Sequence, residues 1–141
     1  MAPTNAFAAL LGGSLLLAGL VLLALCLLPL VFYLLTMQRA LTLAGKEHRN
    51  LEPGMVWLMF IPLFGLVWQF FIVKHVSEAV RSWAAANGKE VADGGWAIGL
   101  TAAILFCCGI VPVLGILASL GGLVCLIIWW VKVANFNTLM A

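Results

Sequence analysis

Residues 94–131 carry no charged side chain, and 38 residues of unbroken helix would extend about 57 Å. The hydrocarbon core of a bilayer is only about 30 Å thick, so one straight pass cannot absorb such a run. Residues 1–38 repeat the pattern, again without Lys or Arg. Composition agrees: 65 % of the 141 residues are hydrophobic and 9 % charged, with a mean hydropathy of +1.20. A soluble domain carries roughly 25 % charged residues, so an ordinary water-soluble fold is excluded. The expectation is an all-α integral membrane bundle, one transmembrane domain over residues 1–141.

The first span is read over residues 7–37, with Pro29 as a cause for a kink because it removes the bond to the Leu25 carbonyl. No positive n-region precedes it, so it reads as a retained span rather than a cleaved signal. Leu23-Ala24-Leu25-Cys26 falls short of a lipidation site because Leu25 stands where a small residue is needed. Pro53 opens a second span over residues 55–73, interrupted by Pro62. Beyond it the pattern becomes two-faced. Val76, Val80 and Trp83 oppose Lys74, Glu78, Arg81 and Ser82, which predicts an interfacial helix over 74–87.

Pro112, flanked by Gly109 and Gly115, divides the last apolar run into spans 96–111 and 115–133. Four transmembrane helices result. The alternative has three spans, with a long kinked or re-entrant last segment. Trp57, Trp83, Trp96, Trp129, Trp130 and Lys132 read as anchors in the interfacial belt. The four-span reading sets Lys74, Arg81, Lys89 and Lys132 against Arg39, Lys46 and Arg49 on the other side. That four-to-three bias places both termini in the cytoplasm.

The net charge of +2 is too weak and dispersed to recruit nucleic acid. No ionisable group falls within the four spans before Lys132, which argues against ion-coupled transport. The remaining polar candidates are Gln69 in the second span, Glu47, His48 and Glu52 in the first connector, and His75. The second span would hold His48 and His75 on opposite faces. No metal-ligand spacing joins these residues, and Cys26, Cys107, Cys108 and Cys125 all lie in apolar runs. No catalytic group, metal or cofactor is therefore expected. Small residues four apart mark helix contact faces: Ala8 and Gly12; Gly95, Gly99 and Ala103; Gly115 and Ser119; Ala118 and Gly122.

Residues 48–70 contain Arg49-Asn50, Pro53-Gly54, Val56-Trp57-Leu58, Ile61-Pro62-Leu63-Phe64, Trp68 and Phe70. This segment, with the polar helix after it, resembles a pattern in small bacterial inner-membrane proteins of unassigned activity, which often carry Asn at the position of Gly65. The resemblance implies a multi-pass protein of the bacterial inner membrane and transfers no functional residue.

The expected role is a non-catalytic accessory, scaffold or assembly subunit that binds a larger membrane complex or itself, with membrane lipids as further partners. The alternative is a homo-oligomeric pore or a carrier of lipid or another apolar ligand, built around Pro62 and Pro112. A third reading, an enzyme acting on lipid headgroups through Glu47, His48 and Glu52, has less to support it.

Overall fold

The computed structural model describes residues 3–61, 63–109 and 115–141, with side chains from Gly12 onward. Every element among them is helical. The chain runs through α1 (Pro3–Ala44), a 3-10 helix (Pro53–Phe60), α2 (Phe64–Ala86), α3 (Trp96–Cys108) and α4 (Gly115–Met140). Two stretches are long and apolar enough to cross a membrane, Gly12–Ala44 and Gly115–Met140. At 13 residues, α3 is apolar but short. The expected breaks at Pro62 and Pro112 lie outside the described residues, whereas Pro29 sits within an α1 that continues through it.

The chain divides into two units, Met1–Tyr33 and Leu34–Ala141. The described side chains of the first unit, from Gly12 to Pro29, are all exposed, with Leu15 and Leu16 each at 72 %. A Cβ placed on Gly12 would meet nothing within 4 Å.

In the second unit, the span expected over 55–73, interrupted at Pro62, is a 3-10 helix that lies back against the start of α2. Trp68 Nε1 donates to the Met55 carbonyl at 2.8 Å, and a Cβ on Gly65 would lie 2.5 Å from the Met59 oxygen. Two causes combine. A 3-10 helix rises about 2.0 Å per residue, so the eight residues of Pro53–Phe60 advance only about 16 Å, roughly half of a bilayer core. Leu63 then adopts φ 64 and ψ −45, outside the helical region, and reverses the chain before α2 begins. The two-faced stretch expected over 74–87 continues the helix as the second half of α2, whose Ile72, Val73, Val76, Val80 and Ala84 are buried.

The second hairpin, α3 with α4, packs through its small residues. Gly109 approaches Ser119, Gly115 lies on the Gly109 backbone, and Gly122 meets Leu105 and Phe106. Ala102 and Ala103 are buried. At the open end, the Trp129 indole lies across Gly95 and Gly99, where added Cβ atoms would come within 2.9 and 3.0 Å of the ring. Trp129, expected as an interface anchor, is thus a core residue with no exposed surface. The glycines supply the flat wall that admits a large ring, and adjacent Trp130 points about 100° away.

The end of α1 contributes Leu34, Met37, Leu41 and Ala44 at i, i+3, i+7 and i+10, all buried. Polar bonds reinforce this stripe. Trp57 Nε1 donates to Gln38 Oε1 at 2.9 Å, Trp130 Nε1 to Thr36 Oγ1 at 2.9 Å, and Asn137 Nδ2 to the Thr36 carbonyl at 3.0 Å.

Candidate functional site at the charged end

Within the second unit, α1, α2 and α4 all end, and α3 begins, at the same place. The two hairpins require this arrangement, and long-range contacts define it. His48 Nδ1 shares a hydrogen bond with Ser82 Oγ at 2.9 Å, and Lys132 Nζ lies 4.0 Å from Asp93 Oδ1. Arg49, Lys89, Asp93 and Lys132 all make contacts at this end, whereas Lys74 pairs with Glu78 nearer the middle of α2. The segment over 55–73 doubles back, so the connectors on either side of it meet at His48 and Ser82.

Helix ends explain why each charge sits where it does. The last carbonyls of a helix lack intrahelical partners and carry partial negative charge, so cations suit them. Arg49 Nη1 donates to the Leu41 carbonyl in the last turn of α1 at 3.2 Å, and Lys89 Nζ to the Leu139 carbonyl of α4 at 2.9 Å. Lys89 also stands 4.9 Å over the Trp83 ring. On α2, Asn87 Nδ2 donates to the Trp83 carbonyl at 2.8 Å. The start of α3 has the opposite polarity and takes an acid: Asp93 accepts from Gly95 N at 3.0 Å and Ala97 N at 3.1 Å. The Gly95 and then the Ala97 hydrogen bonds lower the Asp93 pKa below the ordinary carboxylate value, and Lys132 adds to the shift against a small desolvation cost.

The expected polar candidates form no acid–base constellation. Glu47 and Glu52 flank His48 but are exposed, and the ion pairs among the described residues are Lys74 with Glu78 and Lys132 with Asp93. His75 donates from Nδ1 to the Phe71 carbonyl at 2.7 Å and stacks on the Phe71 ring, which continues a stack through Trp68 to Phe64. His48 and His75, expected to lie apart, are both tied to α2, since His48 bonds Ser82, seven residues beyond His75. Gln69 is buried. Among the described residues no group of three or more His, Cys, Asp or Glu is placed to hold a metal, and all four cysteines are free thiols.

Comparison with protein families, curated proteins and solved structures finds no match to this chain.

Sequence reasoning assigned no role to Thr36, Gln38, Asp93 or Asn137. Of these, Asp93 carried a legible signal, an acid just before Gly94-Gly95 and an apolar helix. The others act through contacts 19 or more residues away in sequence.

Proposed function

We propose that this chain is a non-catalytic integral membrane protein, an accessory or assembly subunit that binds another membrane protein, or a second copy of itself, through the N-terminal part of α1. The observation that carries this reading is the exposure of every described side chain of α1 from Gly12 to Pro29. A helix that is apolar all round belongs against lipid or other helices. In the second hairpin the small-residue faces are already occupied by neighbours, and Thr36 and Asn137 bridge α1 to α4.

The same reading sets the topology. Cytoplasmic flanks are enriched in Lys and Arg, and Arg49, Lys89 and Lys132 cluster at one end of the second unit, which we place in the cytoplasm of a bacterial inner membrane. From that side the segment over 53–73 dips in and returns. The α3–α4 hairpin enters from the same side, with α4 long enough to cross and α3 shorter.

A photo-crosslinking side chain at Leu16 or Leu20, activated in native membranes, tests the role. The expected result is one discrete protein adduct of a partner or a dimer. Adducts to lipid alone at both positions would contradict it.

A further inference from the structure

The polar half of α2 holds a small cavity of about 120 Å³, lined by Lys74, Ser77, Glu78, Arg81 and Trp96. Lys74, Ser77, Glu78 and Arg81 fall at i, i+3, i+4 and i+7 on one helix face, and Trp96, the first residue of α3, closes the side. Three features distinguish this place from the rest of the charged end. Ser77 is 1 % exposed, and its Oγ is buried without a hydrogen-bond partner among the described residues. A buried hydroxyl left unbonded is costly, and rotation of its χ1 toward the adjoining cavity would let a polar occupant satisfy it. The charges of Lys74, Arg81 and Glu78 sum to one positive, with Lys74 Nζ 4.0 Å from the Glu78 carboxylate. The cavity also lies where α2 passes from its apolar first half to its charged second half, with an indole beside it.

We propose that this cavity binds the phosphodiester headgroup of an anionic membrane glycerophospholipid. A diester carries one negative charge, which matches the net charge of the site, whereas inorganic phosphate carries up to two and would crowd Glu78. The Ser77 hydroxyl donates to a phosphate oxygen, Lys74 and Arg81 supply the cationic contacts, and Glu78 accepts from a headgroup hydroxyl. Trp96 suits the depth at which the glycerol backbone sits. The assignment rests on the membrane reading above but not on what α1 binds, so lipid retention and α1 crosslinking fail independently.

The test uses the full-length protein in phosphatidylcholine nanodiscs doped with phosphatidylglycerol, followed by native mass spectrometry of the lipid retained. One phosphatidylglycerol per chain is expected, in preference to phosphatidylcholine. Each basic residue near a membrane surface contributes about fivefold, so Lys74→Gln with Arg81→Gln should weaken retention roughly 25-fold. The pair Arg39→Gln with Lys46→Gln, an equal loss of charge elsewhere, should leave it within about twofold. Ser77→Ala, which removes a single oxygen, should cost roughly threefold to tenfold. Equal retention of the two lipids, an equal loss in the Arg39 and Lys46 pair, or no change in Ser77→Ala would each overturn the assignment. Displacement of the lipid by millimolar inorganic phosphate would also overturn it, by showing a soluble ligand.

Discussion

The His48 imidazole and the Ser82 hydroxyl, 34 residues apart in sequence, meet at 2.9 Å. That one contact decides the path of the chain. A helix crossing the membrane over 55–73 would hold these residues on opposite sides. The turn-back at Leu63 holds them together, and with them the first connector, the second connector and the end of α4.

The reversal itself is strained. A non-glycine residue at positive φ costs about 1–2 kcal/mol, and the Leu63 side chain is 83 % exposed, so little packing repays it. Leu63→Gly should therefore raise stability by about 1 kcal/mol, read as a higher Tm in detergent. An unchanged or lower Tm would contradict the strain argument.

Packing of the second hairpin rests on the absence of a side chain at Gly99. A Cβ there would stand 2.7 Å from Val73 Cγ1 and 3.0 Å from the Trp129 ring. Gly99→Ala should destabilise by about 1–3 kcal/mol, and Trp129→Ala by about 3–5 kcal/mol through the cavity it leaves. Gly12→Ala, in open surroundings, should leave the Tm unchanged, and a comparable loss there would contradict the division of roles.

A double-mutant cycle tests the bond that ties the 3-10 helix to α1. Trp57→Phe and Gln38→Leu should show a coupling of about 0.5–1.5 kcal/mol, because each removes the same Nε1 to Oε1 hydrogen bond. Additive effects would show that the two side chains do not depend on one another.

Asp93 gives a pH dependence. Its folded pKa lies below the ordinary 3.8, so the native state binds this proton less readily than the unfolded chain does. Its contribution is fully present well above pH 3.8 and is lost as pH falls through the lower folded value. Asp93→Ala should lower the Tm at pH 7, by about 1 kcal/mol of capping energy. The gap between variant and parent should narrow as pH falls below 3.8, and a gap that stayed constant would contradict the assignment.

The α3–α4 hairpin was legible because Gly109 and Gly115 bracket Pro112 and the small residues repeat every four positions. The turn-back before α2 was not, because an apolar run reads alike whether it crosses or doubles back. Its signal was present in Pro62 and Gly65, a pair of breakers three residues apart, and Gly65 supplies the close approach to Met59. Trp129 was misplaced for a different reason. Two adjacent indoles near a helix end look like a belt, and only the facing glycines of α3 reveal that one of them turns inward. The charged end could not be assembled from sequence while the segment over 55–73 was read as one span, since that reading holds His48 and Ser82 apart.

The most direct test asks whether the two connectors share a side of the membrane. With the native cysteines replaced, Asn50→Cys and Asn87→Cys are each probed with a membrane-impermeant thiol reagent, in intact cells and in inverted vesicles. Both should be labelled only in inverted vesicles, which places both connectors in the cytoplasm. Labelling of the two positions from opposite sides would show that the chain crosses between them, and would contradict the account.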